Sequence, residues 1–263
     1  MRVRAGGAAA GCCPHRGSVR GSGLHGGAVT LSRVAAIHQP NFFPWLGYFD
    51  KIARSDVFVV LDDVQHQKTG SNWSTRVKLL VSGEPRWVSA PVRRPAHGTV
   101  LLHQLQWDPL QPWREKLLKT LELSYARCPQ YEETMALVEP LVRNPEPGVA
   151  AYNLHAVRGI AQALGLATPF VLASSFAVAD SASQRLAALT AAAGCDSYLA
   201  GAGAQDYQDG GVFEARGIRL VWQDFRPRPY PQRGLAEFVP GLSVIDALMN
   251  AGLRGTRELL ELP

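Results

Sequence analysis

The chain predicts an α/β layered fold: a mostly parallel sheet with a helical middle segment. Three observations carry this reading. Continuous apolar runs such as Val57-Phe-Val-Val-Leu61 fit strands buried on both faces, as parallel strands are. Strand–helix–strand order recurs at both ends of the chain, which builds parallel pairs joined by helical crossovers. Between these ends, residues from about 110 to 166 carry only helical periodicity.

Taken in order, residues 34–37 form a first short strand. Pro44 falls at an expected first helical position, where its fixed φ is already suited to a helix, and Leu46, Phe49 and Ile52 then face inward. Residues 56–62 are the second strand. Ser82-Gly83-Glu84-Pro85 is a hairpin signal between strands at 76–80 and 86–91, and a further strand is expected at 101–106. Trp113, Leu117, Leu121 and Tyr125 stand at helical spacing, so 111–125 reads as a helix, followed by helices at 131–142 and 149–164. Residues 170–173 return to strand. Ser181 or Ser183 caps a helix running to Ala193. Strands at 197–200 and 218–222 and a short helix at 243–250 complete the chain.

Composition narrows the function classes. The 27 basic residues exceed the 22 acidic ones, but five arginines (Arg2, Arg4, Arg16, Arg20, Arg33) lie within residues 1–33, where there are no acids. The rest of the chain is neutral, so charge indicates no broad phosphate-binding face. Residues 1–32 are Gly-, Ala- and Arg-rich, offer nothing to bury, and are expected to be a disordered tail ahead of one domain at 33–263. Arg2, Arg4 and Cys12 also sketch a lipoprotein-type leader, but the stretch between them lacks a true apolar core. No apolar run reaches the ~18 residues of a membrane span. Cys12, Cys13, Cys128 and Cys195 form no Cys-x-x-Cys spacing, which supports neither a zinc site nor a disulfide framework and fits a reduced, cytoplasmic protein.

Ligands of open α/β sheets bind beyond the carboxyl ends of the strands. Here those ends are polar: His38-Gln39-Pro40-Asn41, Asp62-Asp63, Gly201-x-Gly203 followed by Asp206-Tyr207, and Gln223-Asp224. They are expected to converge on one site. His38 is the candidate general base, with Asp62 or Asp63 to orient it. The same acidic pair suits a divalent cation, although neighbours in a strand point to opposite faces, so one at most serves a given site; no metal is assigned. Lys68, Asn72 and Arg76 form a polar stretch able to clamp an anionic substrate. The glycines lack a phosphate-loop fingerprint and are read as permitting close backbone approach to a ligand. Each feature has a plainer structural role: a turn histidine, an Asn that stabilises its own turn, a solvated basic loop.

The stretches IHQPNFFPWLGYFDKIARSDVFVVLDDVQ (37–65), YLAGAGAQDYQD (198–209), WQDFRPRPYPQ (222–232) and FVPGLSVIDALMNAG (238–252) together resemble the WbqC-like family of bacterial proteins. The resemblance implies motif roles for His38, Gln39, Asn41, Asp62, Asp63, Arg76, Asp206, Tyr207, Gln223, Asp224, Asp246 and Asn250. It further implies a place in polysaccharide and O-antigen (lipopolysaccharide) biosynthesis, with glycine (aminoacyl) transfer suggested for one group. This chain departs from the family's W-x-N-R and YLSG patterns, with Ser74-Thr75 before Arg76 and alanine at position 200, so no serine nucleophile is assigned there. The strand, Pro/Asn/His turn and helix are also similar to Rossmann-like and nucleotidyltransferase-like proteins, a likeness of fold rather than chemistry.

The function expected is therefore aminoacyl or acyl transfer to an amine, in cell-surface polysaccharide or specialised-metabolite assembly. Its substrates would be an activated amino acid and a sugar nucleotide; a tRNA donor would need a basic face that the neutral body lacks. No cofactor is identified. The alternative is a non-catalytic protein that recognises a sugar nucleotide or glycan intermediate. Asp246 and Asn250, one helical turn apart, are expected to brace or line the site near His38 and Asp224.

Overall fold

Five parallel strands in the order β5-β2-β1-β6-β7 frame the molecule, in a computed structural model that describes residues 32–66, 72–93, 98–201, 203 and 208–262. The elements run β1 (Val34–His38), α1 (Leu46–Ala53), β2 (Val57–Val60), β3 (Arg76–Val81), β4 (Glu84–Ser89), α2 (Trp113–Tyr125), α3 (Tyr131–Arg143), α4 (Val149–Ala163), β5 (Phe170–Leu172), α5 (Ala182–Ala192), β6 (Ser197–Ala200), α6 (Gly210–Glu214), β7 (Arg219–Trp222) and α7 (Val244–Leu259). This is the layered α/β fold the apolar runs predict. β3 and β4 form a separate antiparallel hairpin around Ser82-Gly83, as the turn residues indicate.

Strand parity divides the core. Ala36, Phe58, Val60 and Leu199 face one side of the sheet, in a cluster that also holds Phe49, Ile52, Tyr152, Ile160 and Leu248. Ala35, Ile37, Val57, Val59 and Tyr198 face the other side, with Ala187, Leu189 and Phe213. The helical middle segment, α2 to α4, belongs to the first cluster together with α7. From β1 the chain builds outward to β2 and β5, then returns to lay β6 and β7 on the other flank of β1. A crevice therefore opens between β1 and β6, where the direction of strand addition reverses.

Four local expectations are corrected. Helix α1 starts at Leu46, with Trp45 as its extended N-cap, because the carbonyl of Pro44 is taken by the Val244 amide. Residues 101–106 are not a strand. A single 3-10 turn, Leu102–Gln104, lies among isolated bridges from Leu101 to Gln65, Gln106 to Gly148 and Trp107 to Val92, three different partners that cannot make one ladder. α7 runs beyond residue 250, bent at Gly252, whose φ of 70° is one glycine tolerates. The short helix α6, capped by the Asp209 carboxylate on the Gly211 amide, was not expected at all. At the other end, Ser32, expected to be the last residue of the tail at 1–32, donates to Asp196 and accepts from Arg219, so the packed domain includes it; residues 1–31 lie outside the described residues.

One buried carboxylate joins the middle segment to the rest. Asp246, fully buried in the first turn of α7, accepts from Tyr125 Oη (3.1 Å), Tyr230 Oη (2.7 Å) and Gln232 Nε2 (2.9 Å). Burial pushes its carboxyl pKa up, against the pull of these donors. Tyr125 Oη also accepts the Leu80 amide (2.8 Å), linking α2, α7, β3 and the 230–232 segment. Replacing Tyr125 by Phe strands both the amide and one carboxylate oxygen, so the Tyr125→Phe variant is expected to lose about 1–3 kcal/mol of stability in chemical denaturation.

Candidate functional site

A cavity of about 320 Å³ opens beside the crevice, lined by His38, Trp45, Gly47, Tyr48, Lys51, Gly201, Gly203, Gln223 and Phe225. Three strand tips meet there: the end of β1 contributes His38, the segment after β6 the two glycines, and the segment after β7 Gln223 and Phe225. Helix α1 supplies the remaining wall.

His38 Nδ1 lies 3.1 Å from the carbonyl oxygen of Gln39. A carbonyl can only accept, so Nδ1 carries the proton and Nε2 is left as the ring's acceptor. Tyr48 Oη donates to the same carbonyl (3.0 Å), and its ring meets the imidazole edge-on at 4.9 Å. Burial and, to a lesser extent, the nearby Lys51 lower the histidine pKa from 6.5 to about 4, against the smaller opposing pull of the Gln39 bond. The imidazole is therefore neutral near neutral pH.

Lys51 was not singled out by the sequence. It is 3 % exposed, on the same face of α1 as Tyr48, and its Nζ donates to the Ile37 carbonyl (3.1 Å). That carbonyl is available because the β1–β6 ladder ends at Ala36–Leu199. Burial drags the Lys51 pKa from 10.5 to about 7. Its Nζ also lies 5.8 Å from the centre of the Tyr198 ring. A lysine one turn after Gly47-Tyr48, off the Leu46–Phe49–Ile52 stripe, was the available signal.

Gln223 clamps the site: its Nε2 donates to the Gly47 carbonyl (2.7 Å) and to Asp50 Oδ2 (2.6 Å), and its amide to Ala200 (2.8 Å). Asp50, the neighbour of Lys51, is thereby turned to Gln223 and to Arg54 at 3.7 Å. Trp45 packs edge-on against Phe225 at 5.6 Å. Its ring also lies over Gly47, where an added Cβ would stand 2.4 Å from two ring carbons. Packing does not demand glycine at 201 or 203, where a Cβ would meet nothing within 4 Å.

The other expected residues are placed elsewhere. Asp62 accepts from the Ser174 amide (3.0 Å) and hydroxyl (2.5 Å), and Asp63 pairs with Arg185; neither lines the cavity. β2 lies on the far flank of β1 from β6, so the acidic pair meets β5 and α5 instead. Asn72 organises its own turn, donating to Thr75 Oγ1 (2.8 Å) and accepting from the Ser74 amide (3.3 Å). Arg76 stacks on Trp87 at 4.2 Å. Asp224 is exposed beside Arg226. The Gln39 carbonyl holds His38 and Tyr48, and Asn41 is buried within the turn. Asn250 donates to the Asp246 carbonyl (2.8 Å) and accepts the Arg233 amide (2.9 Å). Neither Asp246 nor Asn250, nor any side chain bonded to them, is among the cavity residues. Lys68, Asp206 and Tyr207 lie outside the described residues. Among those described, no cluster of three His, Cys, Asp or Glu could hold a metal ion, and no helix is long and apolar enough to cross a membrane.

A parallel sheet with a cavity at its reversal point, walled by a neutral histidine and a buried lysine, defines a layered α/β protein with a candidate site where such sheets bind ligands. Its residues 39–258 match the WbqC-like protein family, and the chain belongs to that family. It is 29% identical over 222 residues to the Uncharacterized protein Rv1507c of Mycobacterium tuberculosis (strain ATCC 25618 / H37Rv), a match covering 84% of this chain and 94% of that protein. No solved structure matches the chain significantly.

Two outcomes are expected. Gly47→Ala should displace the Trp45 ring and remodel the cavity, read as a change in Trp fluorescence with the fold retained by circular dichroism. A neutral His38 binds its proton about 4 when folded and near 6.5 when unfolded, so the unfolded state takes up more protons between those values and stability falls as pH drops through them. The melting temperature of His38→Gln should therefore decline less than that of the wild type over this range.

Proposed function

We propose that the protein is a group transferase that moves an aminoacyl or acyl group onto an amine, in the assembly of a cell-surface polysaccharide or specialised metabolite. The observation that carries this is His38: a neutral imidazole, fixed in the Nδ1–H tautomer, on the wall of a cavity at the sheet's reversal point. Its Nε2 can take the proton that the attacking amine sheds as the acyl carbon–nitrogen bond forms and the bond from that carbon to the donor's activating group breaks, the group departing with its electron pair. The glycines at 201 and 203 leave room for a substrate against the backbone, and Trp45 and Phe225 offer an apolar wall for its body. Asp62 and Asp63, held by Ser174 and Arg185, are given no catalytic part in this reading. The neutral charge of the chain beyond its first 33 residues favours a small activated amino acid over a tRNA donor.

The second reading, recognition without chemistry, is favoured by one feature: none of the nine cavity residues is a serine, threonine or cysteine able to carry a covalent intermediate. The test is incubation with activated glycine and sugar-amine acceptors, followed by mass spectrometry of the acceptor. Transfer is expected, with His38→Ala slowing it by about 100-fold or more. An acceptor that stabilises the fold yet is recovered unchanged would select the binding reading.

A further inference from the structure

Among the described residues nothing acidic lines the cavity, although two basic side chains do. Lys51 Nζ is buried against a backbone carbonyl and has no carboxylate within 4 Å among the described residues. Its neighbour in the chain, Asp50, is held by Gln223 and Arg54 instead. We propose that the cavity is an anion receptor, in which Lys51 pairs with a carboxylate or phosphate-type group of a ligand whose flat or apolar body lies against Trp45 and Phe225.

The chemistry follows from what surrounds the amine. A buried ammonium without a partner is costly, and the lysine avoids that cost by releasing its proton. The titratable groups around it among the described residues are His38 from β1, Tyr48 and Asp50 from α1, and Tyr198 from β6. His38 is a base, and burial pushes the Tyr48 phenol well above its ordinary range. Neither offers a negative charge, and the Asp50 carboxylate is held by Gln223 and Arg54. An entering anion supplies the missing counter-charge, so Lys51 takes up a proton as the ligand binds. With a pKa of about 7 in the empty cavity, it is mostly neutral one unit above that value and mostly charged one unit below it. Binding on the alkaline side should therefore draw a proton from solution, and binding on the acidic side should draw little.

This inference rests on reading the cavity as a substrate site, but its test involves no turnover. Benzoate and benzenesulfonate, both ionised throughout the range, are titrated calorimetrically at about pH 8 and about pH 6 in buffers of different ionisation heat, with neutral benzamide as the control. Approaching one proton per anion should be taken up at the higher pH and far less at the lower. Lys51→Met should weaken anion binding at least about tenfold, as expected when a bond to a charged group is lost. Lys51→Arg should retain binding but abolish the proton uptake, and the wild-type uptake itself remains decisive should either variant fail to fold. Failure of both anions to bind, binding without proton uptake, benzamide binding as tightly as benzoate, or undiminished binding by a folded Lys51→Met would overturn the proposal. Anion binding with uptake but no acyl transfer would leave it standing and remove the transferase reading instead.

Discussion

The turn between β1 and α1 is the constraint on which the rest of the molecule depends. Phe43 adopts a φ of 43°, in the left-handed region that a bulky side chain avoids, while its ring is almost wholly buried. Such a conformation costs of order 1 kcal/mol or more and persists only where its surroundings over-determine it. Here they do. Asn153 on α4 donates to the Pro40 carbonyl (2.9 Å), the Phe42 amide donates to Trp73 (2.8 Å), and Ser243 Oγ donates to the Phe43 carbonyl (2.7 Å). The Phe42 ring packs among Trp107, Trp113 and Tyr152. Segments far apart in sequence thus close on the seven residues 39–45, and this sets where His38 ends β1 and where α1 begins.

The direction of α1 decides the character of the cavity. Leaving the turn, the helix puts Leu46, Phe49 and Ile52 into the core and turns Gly47, Tyr48 and Lys51 to the crevice. The β1–β6 ladder stops at Ala36, which frees the Ile37 carbonyl at the place where the lysine arrives. Without that acceptor, the amine would be a buried polar group with nothing to donate to. Gln223 closes the arrangement from β7 by bonding the first turn of α1 and Asp50 together. Two successive stretches of backbone thereby support the basic groups of the cavity, the Ile37 carbonyl holding Lys51 and the Gln39 carbonyl holding His38.

Most of the polar residues at the strand ends serve the fold. Asp62 caps the turn around Ser174, Asp63 pairs with Arg185, and Asp246 gathers two tyrosines and a glutamine. Asp62 and Asp246 are buried with both oxygens engaged, as a carboxylate removed from water must be, whereas Asp63 is engaged through Oδ2. Backbone bonds join two other stretches: Trp45 bridges Ser243, and Val244 bonds Pro44, so the Pro-Trp-Leu-Gly and Leu-Ser-Val-Ile stretches are two halves of one support.

The sequence by itself determined the α/β layering, the hairpin, the three middle helices and the inward stripe of α1, because periodicity and turn chemistry act between near neighbours. It also pointed to His38, Gly201, Gly203 and Gln223, since strand ends can be recognised locally. It did not reveal Lys51, whose burial depends on the end of a ladder between strands about 160 residues apart in the chain. Nor could it separate Asp62 and Asp63 from the site, because the flank of β1 on which β2 lies is set by long-range pairing. Asn153 stood in plain view as a polar residue among Val149, Ala156 and Ile160 on one face of α4, but its partners, Pro40 and Ser74, exist only once that face is docked. Strand order and the docking of helices are decided by burial of the whole core, and they alone determined which polar groups share a cavity.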